Sequence, residues 1–345
     1  MPERAGQNEP RIRAALSLGF CICASVAACT AHPDPVTHTP AASIQAPAAI
    51  AAPLAMVMTA DGGPNTAPAL GTPTDPADPG TAFDPPAELH LPSTLGIGER
   101  VPLLLVLHGF GVSSSLLIAK ASLNQLADTK KFAYLAPEGA RDSQGRPFWN
   151  AGPSCCDLEH RAPDDLKRLR ELLDFSLKSS AIDRKRVFLI GYSNGAFMAQ
   201  RLACEASEHL AGVISVAGAA PGPEVPCNPT TPLSFLEIHG DADPVVHYDG
   251  GVVFDRTDLP AHPSARSTVN VWAQHLGCSG DLHPVGSIDL EPYLAGNETE
   301  VQRFDGCRGS VELWTVRGGG HYVALQPPAL DALWKFVQAH PKGGA

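Results

Sequence analysis

The sequence predicts an α/β fold in which a mainly parallel sheet is covered by helices on both faces. Apolar runs recur at residues 101–107, 132–135, 187–190, 213–216, 233–238 and 311–316. Continuous runs of this kind are typical of strands that are buried on both faces. Segments with helical spacing alternate with them at residues 113–127, 163–179, 196–203, 265–276 and 328–340. This alternation predicts a parallel sheet, with ligands beyond the carboxyl ends of its strands.

The composition limits the class of protein and its partners. The chain has 345 residues, of which 44% are hydrophobic, and a formal net charge of −11. This length and apolar content suffice for an ordinary buried core. No run of Lys and Arg offsets the acidic balance. We therefore expect no nucleic-acid partner, because a phosphate backbone requires a basic surface, and we expect a monomer.

The first segment, residues 1–28, has the form of a lipoprotein-type signal peptide. Three arginines in the first 13 residues precede an apolar run at 14–28 that is too short to span a bilayer comfortably. The run ends in Val26-Ala27-Ala28-Cys29, which resembles the bacterial lipobox, where cleavage leaves a lipid-modified cysteine. We therefore predict export to the cell envelope and a membrane anchor at Cys29. The alternative is ordinary signal cleavage, which releases an extracellular protein and leaves Cys29 incidental.

The second segment, residues 29–86, is predicted to be a Pro/Ala/Thr-rich linker. Prolines recur at short intervals from residue 33 to residue 86. Proline lacks a backbone donor and is excluded from helix interiors, so we expect an extended tether. The catalytic domain is predicted to cover residues 87–345.

A serine between two glycines follows the apolar run at 187–190. Gly191-Tyr192-Ser193-Asn194-Gly195 matches the Gly-x-Ser-x-Gly nucleophile elbow, in which the serine occupies a sharp turn from a strand into a helix. Both glycines are needed because side chains there would collide with neighbouring backbone. The pattern alone also arises by chance, but strand, turn and helix stand here in the required order. Ser193 is therefore the predicted nucleophile.

A serine nucleophile needs a base and an acid that orients the base. His321 follows three glycines directly after the last predicted strand and is the predicted base. Asp243 is the predicted acid, because Pro244 fixes the turn after it and the apolar pair that follows packs that turn. Asp241 is the alternative, and we expect it to bond its own turn. The order Ser193, Asp243, His321 is that of α/β-hydrolases.

The oxyanion of an ester intermediate needs two backbone N–H donors. We predict that Asn194, after the nucleophile, and Phe110, in the loop after the strand at 101–107, supply them. Gly109 and Gly111 would allow that loop to approach the serine closely. His108 is expected to be a core histidine that bonds the loop.

Several motifs together resemble the extracellular polyhydroxybutyrate depolymerase and feruloyl esterase family. They are residues 104–111, Trp149-Asn150-Ala151-Gly152 with Cys155-Cys156, Asp164-Asp165, the elbow, residues 239–251 and residues 318–321. The resemblance covers about residues 86–340, in order and in spacing. It implies an α/β-hydrolase fold, Ser193, Asp243 and His321 as catalytic residues, and hydrolysis of polymeric polyesters or plant-wall aryl esters without a metal or organic cofactor. Trp149 and Tyr248 are predicted to line the substrate cleft, and packing in the core is the alternative for Trp149.

Two departures from the family pattern bear on the substrate. His321 is followed by Tyr322-Val323-Ala324-Leu325 rather than by the usual Trp-Pro-Gly segment, and Phe110 replaces a small residue or a cysteine. We expect the ring of Phe110 to narrow the acyl pocket.

Two other interpretations of the function stay open. One is a serine peptidase of the same fold, and the other is a non-catalytic surface binding module on a hydrolase scaffold.

Six cysteines fall in the predicted catalytic domain, an even set in an exported protein, so we expect disulfides. No C-x-x-C spacing for a metal is present. Two of the expected bonds would each tie a helix to the segment after a neighbouring strand. The predicted pairs are Cys204–Cys227, Cys278–Cys307 and, as the remaining pair, the adjacent Cys155–Cys156.

Overall fold

The computed structural model describes residues 82–324 and 326–343. The predicted signal peptide, the predicted anchor at Cys29 and residues 29–81 of the predicted linker lie outside the described residues. Within the described ranges, no helix combines the length and the apolar character that a bilayer crossing requires.

An eight-stranded sheet forms the centre of the described part. The strands of the described residues are β1 Val101–Leu107, β2 Ala133–Leu135, β3 Ala140–Arg141, β4 Pro147–Phe148, β5 Ile182–Tyr192, β6 Gly212–Val216, β7 Ser234–Gly240, β8 Ser279–Ile288, β9 Thr299–Asp305 and β10 Val311–Val316. The sheet order is β2-β1-β5-β6-β7-β10-β9-β8, and β3 and β4 form a separate hairpin. Pairing is parallel from β2 to β10, and β9 and β8 extend the sheet in antiparallel fashion.

Helices cover both faces of this sheet, which confirms the predicted α/β-hydrolase architecture. They are α1 Ser114–Lys120, α2 Leu123–Lys130, α3 Asp165–Ser176, α4 Asn194–Ala206, α5 Ala265–Leu276 and α6 Pro327–Ala339. Helices α3, α4 and α5 share one hydrophobic core with the sheet, and α1, α2 and α6 share the other. Alternate side chains of β1 enter the two cores, as a strand buried on both faces requires.

Local signals set several helix ends. The carboxylate of Asp164 accepts the N–H of Lys167 at the start of α3, and Ser264 accepts the N–H of Ser267 at the start of α5. Helix α5 is capped at its carboxyl end by Gly277, whose φ of 65° is left-handed.

Two parts of the sheet and helices differ from the sequence prediction. The single helix expected at 113–127 is divided into α1 and α2, because Ser122 adopts a left-handed φ of 48° and interrupts the helix. Strands β8 and β9 were not predicted. Strand β8 is largely exposed and contains Gly280, Pro284 and Gly286, so it lacks the apolar run by which buried strands are recognised.

The contacts of the folded body reach back to Phe83, before the expected start of the catalytic domain at residue 87. The ring of Phe83 is buried in the core beside α3. The guanidinium of Arg168 lies 4.2 Å above that ring and donates to the carbonyl oxygen of Ala82. The end of the segment assigned to the linker is thus packed against the domain.

Three disulfides cross-link the described residues. Cys204 of α4 is bonded to Cys227, which precedes β7. Cys278, directly after α5, is bonded to Cys307, which lies between β9 and β10. The third bond joins the neighbours Cys155 and Cys156. The structure therefore pairs the cysteines in the combination that the sequence analysis favoured.

Candidate active site

Ser193 occupies the turn between β5 and α4 in a strained backbone conformation. Its φ is 53° and its ψ is −122°, a region that non-glycine residues rarely adopt. A Cβ atom at Gly191 would lie 2.2 Å from the carbonyl oxygen of Gly195, and one at Gly195 would lie 2.3 Å from that of Leu107. The close approach of backbone on both sides of Ser193 is therefore possible only with glycine.

The structure brings together the three residues that the sequence predicted as nucleophile, base and acid. Nε2 of His321 lies 3.0 Å from Oγ of Ser193, and Nδ1 of His321 lies 2.7 Å from Oδ2 of Asp243. Each residue follows the carboxyl end of a strand, β5, β10 or β7. All three side chains are buried. Parallel strands thus place three distant parts of the chain in one hydrogen-bonded line.

Asp243 is held as an ionised acceptor. Its Oδ1 accepts the N–H groups of Val245 at 2.7 Å and Val246 at 3.0 Å. Burial opposes the charge, but hydrogen bonds from His239 and His321 outweigh it and hold the pKa of Asp243 well below its usual range. An ionised Asp243 accepts the Nδ1–H of His321, which leaves Nε2 free to accept the hydroxyl proton of Ser193.

Asp241 has a different partner from the one expected. Its Oδ1 accepts the N–H of Gly318 at 2.6 Å, and its Oδ2 lies 3.3 Å from Nη1 of Arg317. The prediction that Asp241 bonds its own turn is wrong, because β10 pairs directly with β7 and brings the loop after β10 within reach. Asp241 therefore braces the loop that carries His321.

The two predicted oxyanion donors lie close to Ser193. Asn194 follows it in the chain, and Phe110 belongs to the loop after β1, which approaches it in space. Among the described residues, no acceptor takes the backbone N–H of Phe110 or of Asn194. A Cβ atom at Gly109 would lie 3.3 Å from Cβ of Ser193, so the loop after β1 passes close to the serine. Gly111 adopts a left-handed φ of 72° and donates its N–H to the carbonyl of Pro147. The two glycines thus shape this loop.

His108 is a core histidine. The N–H of Gly139 donates to Nε2 of His108 at 2.9 Å, so Nδ1 carries the proton and donates to the carbonyl of Gly109 at 2.9 Å. Burial lowers the pKa of His108, in agreement with a neutral ring. Its task is to join the loop after β1 to the segment that follows β2.

Trp149 does not line the cleft, and that prediction is wrong. The side chain is fully buried, and its Nε1–H donates to the carbonyl of His108 at 3.0 Å. The side chain of Asn194 holds the backbone of Trp149 from both sides, since its Oδ1 accepts the N–H at 2.7 Å and its Nδ2 donates to the carbonyl at 2.9 Å. The indole N–H of Trp149 thus has its hydrogen-bond acceptor inside the core, and this bond ties Trp149 to the loop after β1.

Tyr248 contacts the surroundings of the acid. Its hydroxyl lies 2.8 Å from Oγ1 of Thr315, and its half-buried ring meets the ring of His239 edge-on at 5.7 Å. Tyr248 therefore packs beside the acid loop, and its place on a substrate surface stays a prediction.

Exposed aromatic rings flank the site on two sides. Tyr322 is 77% exposed, and its ring lies 5.5 Å from that of His321. Phe254 is 41% exposed, and its ring lies 6.0 Å from that of Phe110. The guanidinium of Arg146 lies 4.8 Å from the ring of Phe110. The sequence analysis missed Phe254, because a single phenylalanine in an irregular segment carries no pattern.

Two ionisable residues on β7 were also missed. Glu237 and His239 alternate with apolar residues in a strand that is buried throughout. Nδ1 of His239 lies 3.2 Å from Oε1 of Glu237, and its Nε2 lies 3.4 Å from Oδ2 of Asp243. The sequence did carry a signal for these two residues. They occupy alternate positions of an apolar strand that leads to Asp243, and ionisable side chains are uncommon in such a strand. Within the two described ranges, no group of three or more His, Cys, Asp or Glu side chains forms a metal-ion site.

Comparison with known proteins points to one class of enzyme. The family model for phospholipases and carboxylesterases matches residues 96–259. The protein named "Putative esterase NocK" of Nocardia uniformis subsp. tsuyamanensis is 34% identical over 243 residues, which is 67% of each chain. Feruloyl esterase B of Piromyces equi is 30% identical over 247 residues, which is 67% of this chain and 41% of that protein. The chain therefore spans less than half the length of that second relative.

A solved structure shows the same fold. The acetyl xylan esterase from Aspergillus awamori matches with a TM-score of 0.53 and 15% identity, over 73% of this chain and 93% of that chain. Together with the family model, the relatives and the eight-stranded sheet, this likeness agrees with the resemblance that the motifs indicated. The chain belongs to the carboxylesterases of the α/β-hydrolase fold, together with the feruloyl esterases among its relatives.

Proposed function

We propose that this chain is an exported serine esterase that hydrolyses carboxylic esters through Ser193, His321 and Asp243 and a covalent acyl-enzyme. The hydrogen-bonded line from Asp243 through His321 to Ser193, with distances of 2.7 and 3.0 Å, carries this proposal. In such a line the histidine can take the serine proton while the carboxylate orients the histidine.

Acylation begins when Oγ of Ser193 attacks the ester carbonyl carbon and Nε2 of His321 takes the hydroxyl proton. The carbonyl oxygen becomes an oxyanion and accepts the backbone N–H groups of Phe110 and Asn194. The bond to the alcohol then breaks, and the imidazolium of His321 returns its proton to the leaving oxygen. Asp243 stays ionised and stabilises the imidazolium throughout.

Deacylation repeats these steps with water. His321 takes a proton from the water as its oxygen attacks the acyl carbon, and the second oxyanion uses the same two N–H donors. The bond to Ser193 breaks, the carboxylic acid product leaves, and the proton returns to Oγ of the serine.

The proposed substrates are feruloyl or acetyl esters of the plant cell wall, or polyhydroxyalkanoates. Relatives named feruloyl esterase B and, from Neocallimastix patriciarum, bifunctional acetylxylan esterase/xylanase support the first class. The exposed rings of Tyr322 and Phe254 beside the site favour a flat or apolar substrate. A panel of methyl ferulate, acetylated xylan, polyhydroxybutyrate and short-chain nitrophenyl esters separates the classes by kcat/KM.

The serine mechanism is tested by labelling with a fluorophosphonate probe. Wild-type protein should be labelled and should hydrolyse a nitrophenyl ester, and Ser193→Ala should lose both. Ser287→Ala is the matched control, because Ser287 is an exposed serine of β8. Labelling and hydrolysis by Ser193→Ala at the wild-type level would refute Ser193 as the nucleophile, and a wild type that shows neither would favour a non-catalytic protein.

Export to the cell envelope is part of the proposal. The disulfides Cys204–Cys227 and Cys278–Cys307 support it, because such bonds persist in oxidising compartments outside the cytosol. The lipid anchor at Cys29 rests on the sequence before it, Val26-Ala27-Ala28. The proposed partners are accordingly an ester substrate and, through Cys29, a membrane.

A further inference from the structure

His239 is a buried histidine whose two ring nitrogens both face oxygen atoms. Nε2 lies 2.8 Å from the carbonyl oxygen of Val246 and 3.4 Å from Oδ2 of Asp243. Nδ1 lies 3.2 Å from Oε1 of Glu237. A backbone carbonyl only accepts hydrogen bonds, so Nε2 carries a proton. The state of the second nitrogen then depends on Glu237.

The surroundings of Glu237 are those of a carboxylate. Its Oε1 accepts the N–H of Gly218 at 3.2 Å, and its Oε2 lies 3.4 Å from Nε2 of Gln200. Gln200 is held in this orientation because its Oε1 accepts the Nε1–H of Trp272 at 2.9 Å. Both oxygens of Glu237 thus face donors, as an ionised carboxylate requires, and Nδ1 of His239 is left as a further donor.

The positive charge of His239 and the negative charge of Glu237 stabilise one another. Burial disfavours the charge of His239, but Asp243 and Glu237 outweigh it and raise the pKa of His239 to about 9. Burial raises the pKa of Glu237 above its usual range, and its hydrogen bond with His239 limits that shift. Charges this deeply buried persist only when they are paired and hydrogen-bonded. At neutral pH we therefore assign an imidazolium to His239 and a carboxylate to Glu237.

We propose that Glu237 and His239 form a buried ion pair that positions Asp243, an inference that rests on the proposed function because it assigns support to its acid. His239 acts on Asp243 in two ways. Its Nε2–H donates to the carbonyl of Val246, whose own N–H donates to Oδ1 of Asp243 at 3.0 Å, and its charged ring brings Nε2 within 3.4 Å of Oδ2 of Asp243. One imidazolium therefore fixes both the carboxylate and the turn that carries it.

Two other titratable side chains lie near this pair in the described residues. The ring of Tyr248 lies edge-on to His239, and burial raises the pKa of its hydroxyl. Burial lowers the pKa of His262. The positive charge of His239 lowers it further, and the negative charge of Asp243 opposes the shift. Both side chains are thus neutral at pH 7, and they leave Glu237, His239 and Asp243 as the charges that decide the state of this network.

The ion pair is tested first by NMR on the full chain labelled with ¹⁵N-histidine. His239→Gln identifies the resonances of His239 by their loss. We expect an imidazolium at pH 7 that titrates near pH 9 in the wild type. In Glu237→Gln that titration should move down by about one pH unit or more, because the paired carboxylate is gone. A neutral His239 ring at pH 7 in the wild type overturns the inference, whether or not any variant of Glu237 folds.

The positioning role is tested by kinetics on a soluble nitrophenyl ester. Glu237→Gln should lower kcat by about tenfold to a hundredfold and leave KM within about twofold, because it disturbs the acid and not the substrate surface. Glu312→Gln is the matched control. Glu312 is a buried glutamate of the neighbouring strand β10, and its carboxylate accepts from Oγ of Ser310 and Nε1 of Trp314. We expect it to keep the wild-type kcat.

The outcomes separate this inference from the proposed function. Wild-type kcat in a folded Glu237→Gln overturns the positioning role, while loss of activity in Ser193→Ala still upholds the serine mechanism. Full activity in Ser193→Ala refutes Ser193 as the nucleophile, and the NMR titration then still decides whether the ion pair exists. An equal loss of kcat in Glu237→Gln and Glu312→Gln also overturns the inference. It would mean that removing any buried carboxylate lowers kcat, whether or not that carboxylate lies near Asp243.

Discussion

Ser193 adopts a backbone conformation that costs a non-glycine residue on the order of 1–3 kcal/mol. It is held there from both sides. Its N–H donates to the carbonyl of Val216, and its own carbonyl accepts the N–H of Ala196, each at 2.8 Å. The turn carries Oγ to the end of the sheet, where it meets Nε2 of His321. The strain is thus a local cost of presenting Oγ of Ser193 to His321.

The acid can be identified by comparing two aspartates of one loop. Asp243→Asn should lower kcat by roughly 10⁴ with little change in KM, because the histidine loses the carboxylate that sets its tautomer. Asp241→Asn weakens only the brace to Gly318 and should cost about 1 kcal/mol of stability and little activity. Steady-state kinetics on a soluble nitrophenyl ester distinguish them. Full activity in Asp243→Asn beside a collapse in Asp241→Asn would reverse the assignment.

The lowered pKa of Asp243 predicts an acid-sensitive contribution to stability. A carboxyl group whose pKa is lower in the folded than in the unfolded chain stabilises the fold above its unfolded pKa of about 4, and that contribution is lost progressively as the pH falls from there through the lower pKa of the folded chain. The Tm of the wild type should therefore fall more steeply than that of Asp243→Asn below about pH 4. Thermal unfolding between pH 3 and 7 measures this, and parallel curves for the two proteins would contradict it.

At the scale of elements, the contact between α4 and β1 depends on the absence of a side chain at Gly195. A Cβ atom there would lie 2.3 Å from the carbonyl oxygen of Leu107 and 2.5 Å from that of His108, and backbone cannot move without separating helix from sheet. Gly195→Ala should cost at least about 2 kcal/mol of unfolding free energy.

Gly320→Ala is the control for this substitution. A Cβ atom at Gly320 would meet no atom within 4 Å. Its unfolding free energy should stay within about 0.5 kcal/mol of the wild type. Denaturant unfolding measures both variants, and equal losses in the two would show that the approach of α4 to β1 does not limit stability.

The disulfides connect elements that the sheet already brings together. Their loops span 23 residues for Cys204–Cys227 and 29 residues for Cys278–Cys307. The chain-entropy estimate gives about 3–4 kcal/mol for each. Replacing both cysteines of either pair by alanine should lower the Tm by several degrees. Peptide mapping without reduction supplies the independent check, since another partner for Cys204 or Cys278 would invalidate the assignment.

At the scale of the whole molecule, the sequence predicts a lipid-anchored enzyme on a proline-rich tether. Cys29→Ala should release the protein from the membrane fraction or block its maturation. Incorporation of labelled palmitate into the wild type and its loss in the variant would support the anchor. Absence of the label from the wild type would instead favour ordinary signal cleavage, without affecting the esterase proposal.

Much of the fold follows from the sequence itself. Strands β1, β7 and β10 are buried on both faces, as are residues 187–189 of β5, and burial of this kind leaves an apolar run that marks each strand. The elbow around Ser193 is equally local, because its turn demands glycine at fixed positions. The order of Ser193, Asp243 and His321 at strand ends was therefore sufficient to predict which side chains the structure brings together.

Tertiary structure alone decided the partners of the residues around them. Asp241 bonds Gly318, and Trp149 is enclosed by His108 and Asn194, although the members of each set lie far apart in the chain. Glu237 and His239 are buried in β7, and their contact at 3.2 Å opposes the cost that burial imposes on their charges. These contacts depend on the packing of parallel strands and the loops beyond them. Local sequence patterns report backbone preference and burial, and they carry no information on which distant loop will supply a hydrogen-bond partner.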